Sequence, residues 1–197
     1  IEECKALLVH ISKERVRDEF LKICLSPRPD HINELRELGL LEYIIPEFIG
    51  AYSTPQNHPH HVYNVAQHTI VAMQNIEPTV RLRLTMLLHD IGKLLLPNKV
   101  RDKYDDYDAN DLIIVKKFQS DGLGLMRPEM GIDSGIRRIV AQVHKMEYGD
   151  GREEGKILKS SKILKVANLF DTMTCMKLKQ EAMSEIAAIK YLLLNKD

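Results

Sequence analysis

The sequence predicts an all-α fold, and three observations support that class. Its apolar residues recur almost everywhere at the spacing of an amphipathic helix, one every three or four positions. No Asn-Gly or Asp-Gly pair joins two alternating apolar runs, as a β-hairpin would require. The chain has 197 residues, of which 44% are hydrophobic, and this is enough to bury a core in one domain or in two small ones.

The N-terminal half is expected to hold five helical segments and one loop. Ser12 and Asp30 are expected to be N-caps, because their side-chain oxygens can accept hydrogen bonds from the first turn of a helix. Gly39 suits the position that follows a helix, and the segment 46–61 is predicted to be a loop. The predicted helices cover residues 1–11, 13–26, 31–38, 62–76 and 78–91.

The C-terminal half alternates helices with polar or glycine-rich links. An acidic loop over 102–111 is expected to end in a cap at Asp108. A link rich in glycine and proline covers 122–135, and a turn covers 148–155. The predicted helices cover residues 109–118, 136–147, 157–177 and 184–194.

Charge and cysteine content exclude several classes of protein. The 28 basic and 28 acidic residues cancel, which excludes a protein built mainly to coat nucleic acid or a membrane surface. The cysteines, Cys4, Cys24 and Cys175, lack metal-binding spacing and are typical of reduced thiols in a cytoplasmic protein. No apolar run approaches the roughly 20 residues of a membrane span, so no membrane partner is expected. Because the chain begins at Ile1 rather than at a methionine, we expect that it is cut from something longer or that its true start is not shown.

The sharpest chemical signal is the segment LLHDIGK at residues 87–93. It places His89 beside Asp90 at the end of an apolar helix, where burying both is costly unless a partner satisfies them. One imidazole and one carboxylate suit a divalent transition metal such as Mn, Fe, Ni or Zn. His68 is a candidate third ligand, because it lies near the core-facing side of the preceding helix. The alternative is a satisfied polar pair that only caps the helix.

These residues, with His68 upstream of HDIGK, resemble the HD-domain superfamily of metal-dependent phosphohydrolases. Further blocks are similar to the neck and HD region of bacterial CCA-adding tRNA nucleotidyltransferases, in the poly(A) polymerase-like class. The blocks are ISKERVRDEF at 11–20, GLL and IPE within 39–47, and QNHPHHVYNVAQHT at 56–69.

The resemblance implies an HD-domain helical bundle over 51–197, preceded by a short helical neck-like segment over 1–50. The head domain of those enzymes carries a Gly-Ser pair and an Asp-x-Asp motif that bind metal and nucleotide. This chain has no Gly-Ser pair, and its Asp-x-Asp motif lies only within the acidic loop 102–111. We therefore expect no nucleotide addition from these residues.

The resemblance also implies roles for individual residues. The implied metal ligands are His68, His89 and Asp90, with Asp171 as a candidate for the last one. Asp90 and Lys93 would be catalytic, because Lys93 follows Asp90 by three residues and can neutralise charge on a phosphate. The implied reaction is hydrolysis of a phosphomonoester or a 2′,3′-cyclic phosphate, on a nucleotide or an RNA end.

The later part of the chain departs from the family pattern. The Gly-His-Glu that usually follows the HD motif is absent. Segment 166–174 resembles the late helix of the HD-GYP branch. In that branch, an Asp stands at the position that Asn168 occupies here. The last ligand is therefore Asp171, which lies on nearly the same helical face, or Asn168, whose amide oxygen is a weaker neutral ligand, or it is absent and the site is degenerate. His144 resembles the histidine that precedes the glycine-rich turn in HD-GYP proteins. It is expected either to contact the metal ligands or a phosphate, or to lie at the edge of the core. The cluster of His58, His60 and His61 could bind metal, but its proline-containing loop favours a surface or capping role.

A basic helix face supports a competing interpretation. Four lysines recur at every third position: Lys156, Lys159, Lys162 and Lys165. Such faces are usually only solvated, but this one would suit RNA, including tRNA, through phosphate contacts. The alternative function is therefore a catalytically degenerate tRNA/RNA-binding or structural module of a CCA-adding-like nucleotidyltransferase.

Overall fold

The computed structural model describes residues 5–54, 64–101, 103, 107–126, 132–148, 156–174 and 182–195, without the side chains of Tyr148, Asp171 and Thr172. These ranges contain helices and no β-strand, so the all-α prediction is confirmed. In the same ranges, no helix combines the length and the apolar character that a membrane crossing requires.

The helices are short and follow one another closely along the chain. The α-helices, numbered in chain order, are α1 (Lys13–Leu25), α2 (His31–Glu37), α3 (Leu41–Ile44), α4 (Ile49–Ser53), α5 (Val65–Gln74), α6 (Val80–Leu88), α7 (Asn98–Arg101), α8 (Ala109–Leu125), α9 (Ser134–Tyr148), α10 (Lys159–Thr174) and α11 (Glu185–Leu194). Segments of 3₁₀ helix cover Ala6–His10, Pro46–Phe48 and Ile91–Leu95.

Local signals fix several helix ends where the sequence predicts them. The Ser12 hydroxyl accepts a hydrogen bond from the backbone N–H of Arg15 at 3.4 Å, which confirms the cap of α1. The Asp108 carboxylate accepts from two backbone N–H groups, at 2.8 and 2.9 Å, which confirms the cap of α8. Gly39 has a φ of 64°, the left-handed conformation that ends α2 as predicted.

The predicted cap at Asp30 and the predicted loop over 46–61 are wrong. Asp30 does not cap α2, because its carboxylate instead pairs with Arg28 at 2.9 Å and accepts from Gln74 at 3.3 Å. The predicted loop over 46–61 begins with a 3₁₀ helix and α4. This segment is helical because Phe48 and other apolar side chains along it are buried in the core.

Helix α8 continues past its predicted end at Phe118 to Leu125. Gly122 lies within it, and a Cβ atom there would come within 2.6 Å of the Cα atom of Gly92. The predicted link beginning at residue 122 is therefore wrong in its first part. The glycine allows a close backbone contact with the 3₁₀ helix Ile91–Leu95 rather than a turn.

Helix α6 is the central helix of the core. All its residues from Arg83 to Leu88 are buried, so the helix is enclosed on every side. Helices α1, α5 and α9 pack against it. Phe20 of α1 belongs to the same hydrophobic core as Leu84 of α6. The neck-like segment and the rest of the chain thus share one core, and the boundary between 50 and 51 stays a prediction.

Cys24 lies in this core. Its side chain is buried and carries a free thiol. Burial raises the pKa of the thiol to about 12, although the charge of Arg83 opposes the shift. The thiol is therefore un-ionised at neutral pH. Cys4 and Cys175 lie outside the described residues.

Arg83 is a buried arginine that the sequence pattern does not reveal. Only 4% of its surface is exposed, and its Nε and Nη1 atoms have no hydrogen-bond partner in the part of the chain that the structure describes. Each unsatisfied buried donor costs about 1–3 kcal/mol. Arg83 therefore lowers the stability of the fold at a position where an apolar side chain of similar length would fit.

We expect Arg83→Met to raise the free energy of unfolding by about 1–3 kcal/mol, because it removes unsatisfied donors and keeps an apolar stem. Urea unfolding followed by circular dichroism measures the change. Arg81→Met is the matched control, because Arg81 lies on the same helix, is exposed, and pairs with Asp133 only at 3.8 Å. That variant should stay within about 0.5 kcal/mol of the wild type. A less stable Arg83→Met protein would show that the guanidinium has a stabilising role.

Candidate metal centre

His89 and Asp90 lie where α6 ends and the 3₁₀ helix Ile91–Leu95 begins. His89 keeps helical backbone angles, whereas Asp90 leaves the helix with φ −100° and ψ 7°. Both residues are buried, with 3% and 6% of their surface exposed. A polar pair therefore lies at the end of a buried helix, where it needs partners that offset the loss of hydration.

The backbone of α6 holds the His89 ring in one orientation. Nδ1 of His89 lies 2.6 Å from the carbonyl oxygen of Met86. Because a carbonyl oxygen only accepts, Nδ1 carries a proton and donates it, so Nε2 is the ring nitrogen that faces the Asp90 side chain. Nε2 lies 3.4 Å from Oδ2 of Asp90. Hydrogen bonds of this kind fix the tautomer and the orientation of metal-binding histidines.

Helix α5 brings His68 to the same place. A capping box at Asn64 starts this helix at Val65 rather than at residue 62 as predicted. The Asn64 side chain accepts from the backbone N–H of Gln67 at 2.8 Å, and the Gln67 side chain accepts from the backbone N–H of Asn64 at 3.1 Å. The short turn between α5 and α6 lets the two helices pack together, so His68 faces the end of α6.

The structure brings His68, His89 and Asp90 into one cluster. The ring centroids of the two histidines are 6.2 Å apart. One nitrogen of each histidine and one oxygen of Asp90 all lie within 4.8 Å of one another. Two imidazole nitrogens and a carboxylate oxygen are a donor set that fits a borderline divalent transition metal.

Lys93 and the two histidines keep the Asp90 carboxylate ionised. Burial alone would raise the pKa of this carboxyl, but the charges of His89, Lys93 and His68 outweigh burial and hold the pKa below its usual range. Nζ of Lys93 donates to Oδ2 of Asp90 at 2.8 Å. An ammonium group therefore lies at the edge of the cluster, and its catalytic role stays a prediction.

His144 supports the cluster from α9. Its Nε2 lies 2.8 Å from the backbone carbonyl of His89 and donates a hydrogen bond to it. Burial lowers the pKa of the His144 imidazole, so the ring is neutral and its Nδ1 is an acceptor. His144 thus contacts a candidate ligand through that ligand's backbone, while a phosphate contact stays a prediction.

The last metal ligand also stays a prediction. Nδ2 of Asn168 donates to Oε1 of Glu147 at 3.1 Å and so joins α10 to α9. Nζ of Lys165 lies 3.8 Å from the same oxygen. Asp171 belongs to α10, but its side chain lies outside the described part of the structure.

The predicted RNA-binding lysines differ in their surroundings. Lys165 is turned toward Glu147, whereas the side chains of Lys156, Lys159 and Lys162 are exposed. Their contact with RNA stays a prediction. The cluster of His58, His60 and His61 lies outside the described residues.

Two family models match different parts of the chain. The model described as "HD domain" matches residues 53–197, which is well over half of the sequence. The chain belongs to the HD-domain family. The model described as "Probable RNA and SrmB- binding site of polymerase A" matches residues 1–51. The predicted resemblance to a neck followed by an HD region is therefore confirmed.

Curated relatives are similar to part of this HD-domain chain. The Multifunctional CCA protein of Halorhodospira halophila is 30% identical over 100 residues, which are 48% of this chain and 24% of that protein. That of Ectopseudomonas mendocina is 32% identical over 114 residues, 55% of this chain and 28% of that protein. The Multifunctional CCA protein of Vibrio parahaemolyticus is 23% identical over 166 residues, which are 82% of this chain and 38% of that protein. The chain thus spans about a quarter to two fifths of these relatives. No solved structure matches it significantly.

Sequence reasoning missed several groups around the candidate ligands of this HD domain. Met86 acts through its backbone carbonyl, which has no signature in the sequence. Glu147 follows His144 by three residues on the same helical face, and that spacing is the only signal that could have revealed it. Gln119 of α8 is buried against Gly92, and this contact depends on tertiary packing alone.

Proposed function

We propose that this HD-domain protein is a metal-dependent phosphohydrolase, a phosphomonoesterase or a 2′,3′-cyclic phosphodiesterase. The observation that carries the proposal is the buried cluster of His68, His89 and Asp90 with the ammonium of Lys93 beside it. A nucleotide or an RNA end is the substrate that the comparisons favour. The N-terminal match is to a probable RNA-binding site, and the similar relatives are named multifunctional CCA proteins.

The three clustered side chains would hold the metal. When bound, a divalent ion of the Mn, Fe, Ni or Zn type lowers the pKa of water and polarises a phosphoryl oxygen. His89 would bind through Nε2, because its Nδ1–H is occupied by the Met86 carbonyl. Asp90 would supply the negative charge of the site, since its pKa is held below the usual range. Asp171 is the proposed additional ligand from α10.

Lys93 would stabilise the charge that develops on the phosphate. Its ammonium lies 2.8 Å from Asp90, and 35% of its side chain is exposed, so it joins the cluster to solvent. A substrate phosphate entering from solvent would meet this cation next to the metal ligands. Positive charge fixed at the position where negative charge develops lowers the barrier to phosphoryl transfer.

The exposed lysines of the α10 region would extend the site if the substrate is RNA or tRNA. Lys156, Lys159 and Lys162 are available for phosphate contacts, and Lys165 would have to leave Glu147 to join them. Such contacts position a nucleic acid and weaken as the salt concentration rises. They would add affinity without taking part in the chemistry.

Metal removal and return test the proposal. Chelator-treated protein should not hydrolyse bis(p-nitrophenyl) phosphate or 2′,3′-cyclic AMP, and activity should appear when Mn²⁺, Ni²⁺, Fe²⁺ or Zn²⁺ is added. His89→Ala should lower that activity by at least ~100-fold, because it removes a ligand. The matched control is His31→Ala, since His31 is partly exposed and its described ion pair is with Glu34, at 2.7 Å. Hydrolysis without metal, or an active His89→Ala protein, would refute the proposal.

A further inference from the structure

Helix α11 leaves most of its large apolar side chains exposed. Its inward side is marked by Ala188, which is fully buried. On the opposite side, Ile186 is 81% exposed, Ile189 is 49% exposed and Leu193 is 59% exposed. These three residues follow one another at spacings of three and four positions, so they form one stripe along the helix, the α11 stripe. An exposed apolar surface of this kind is a candidate for association with a partner.

One acidic and one basic residue flank the α11 stripe. Glu185 and Lys190 are five positions apart, which is about 140° of rotation around a helix, so they lie on opposite edges of the stripe. Both are exposed, and neither takes part in an ion pair within the part of the chain that the structure describes. They are also the two charged residues of α11. The polar groups at the edges of the stripe are therefore balanced in charge.

This arrangement is complementary to a copy of itself. When two helices pair in the same direction, each apolar position meets its counterpart, and residues on facing edges form ion pairs between the chains. Glu185 of each copy then faces Lys190 of the other, so the ion pair occurs twice. In the opposite direction, each edge would meet the like edge of the other copy, and like charges would face each other.

The same charges argue against a lipid surface as the occupant of the stripe. Helices that lie in a membrane interface carry a polar face rich in lysine and arginine, which is attracted to anionic lipids. Helix α11 has one lysine and one glutamate, so it offers no net attraction of this kind.

We propose that α11 pairs in parallel with α11 of a second copy of this chain, so that the protein forms a symmetric dimer. Ile186, Ile189 and Leu193 of each copy pack against the same residues of the other, and two ion pairs between Glu185 and Lys190 fix the direction. The helix has 10 residues, so the contact is smaller than the ~1,600 Å² of a standard stable interface, and the dissociation constant lies in the micromolar range. The dimer involves no metal and does not depend on the proposed function.

Sedimentation equilibrium of the full chain, at concentrations that span the micromolar range, tests the proposal. The average mass should rise with concentration from 22.6 kDa towards twice that value. Ile186→Ser should raise the dissociation constant by at least about tenfold, because it removes buried apolar area from both copies. Ile113→Ser is the matched control, since Ile113 is 66% exposed on α8, and it should stay within about twofold of the wild type.

Charge reversal tests the direction of pairing. Glu185→Lys and Lys190→Glu should each raise the dissociation constant by about fivefold to tenfold, because each turns two attractions into two repulsions. An equimolar mixture of these two variants, and the variant that carries both changes, should associate within about threefold of the wild type, since opposite charges then face each other again. Lys22→Glu controls for the change in net charge, because Lys22 is exposed on α1 and should have no effect.

Two kinds of result would overturn the proposal. A chain that stays monomeric at every concentration would show that no second copy covers the stripe, and binding of that monomer to phosphatidylglycerol vesicles would assign the stripe to a lipid surface. Association that the charge variants leave unchanged, or that the mixture does not restore, would show that the copies do not pair in parallel through α11. Circular dichroism of each variant confirms that a loss of association is not a loss of folding.

Discussion

Asp90→Asn is expected to weaken the binding of Mn²⁺ or Zn²⁺ by more than about 100-fold. Loss of a group that only orients a ligand already costs 10–100-fold in metal affinity, and here a ligand itself is replaced. The carboxylate is the only anion in the cluster of described candidate ligands, and its neutral amide replacement binds divalent ions weakly. The substitution also removes the carboxylate whose Oδ2 lies 2.8 Å from the Lys93 ammonium, so less of that positive charge is offset near the ion. Titration calorimetry of chelator-treated protein, together with elemental analysis, measures the change.

Two further variants make this expectation specific. Asp18→Asn is the matched control, because Asp18 is exposed, pairs with Arg17 at 2.7 Å and is not part of the cluster, so metal binding should be unchanged. Lys93→Met should bind metal at least as tightly as the wild type, because no ammonium then competes for Oδ2 of Asp90, while hydrolysis of phosphate esters falls. Unchanged metal binding by Asp90→Asn would show that the cluster is not the metal site. Weaker binding by Lys93→Met would show that Lys93 holds Asp90 in place.

The parts of the fold that could be predicted depend on contacts that are close in sequence. The Ser12 and Asp108 caps join groups only two or three residues apart, so residue type and spacing were enough to identify them. His89 and Asp90 are adjacent, and the apolar run before them predicted their burial. His68 could be predicted because a short turn joins its helix to α6.

The missed features depend on contacts between distant parts of the chain. Asp30 has the residue type of a cap, but its carboxylate pairs with nearby Arg28 and also accepts a hydrogen bond from the side chain of Gln74, which lies on another helix. Glu147 and Asn168 meet only because α9 packs against α10. The link predicted to begin at Gly122 was wrong for the same reason, because Gly122 contacts the distant Gly92. A glycine in a sequence is equally consistent with a turn and with a close backbone contact.

Gly122→Ala is expected to lower the free energy of unfolding by about 3 kcal/mol or more. The new Cβ would lie 2.6 Å from Cα and 2.8 Å from N of Gly92. These are backbone atoms, so no rotation of a side chain can relieve the overlap, and the 3₁₀ helix must move away from α8. For a chain of this size the melting temperature should fall by roughly 6–12 °C. Thermal and urea unfolding followed by circular dichroism measure both quantities.

Gly124→Ala separates this overlap from the general effect of placing alanine in a helix. Gly124 lies two positions further along α8, and a Cβ there would meet no atom within 4 Å. That variant should therefore be as stable as the wild type or more stable by up to about 1 kcal/mol. If both alanine variants unfolded alike, the close contact of α8 with Gly92 would be refuted.

The contact also bears on the metal centre, because Gly92 lies between Asp90 and Lys93 in the chain. Displacement of Gly92 moves the ligand and the ammonium together, so Gly122→Ala should weaken metal binding while Gly124→Ala leaves it unchanged.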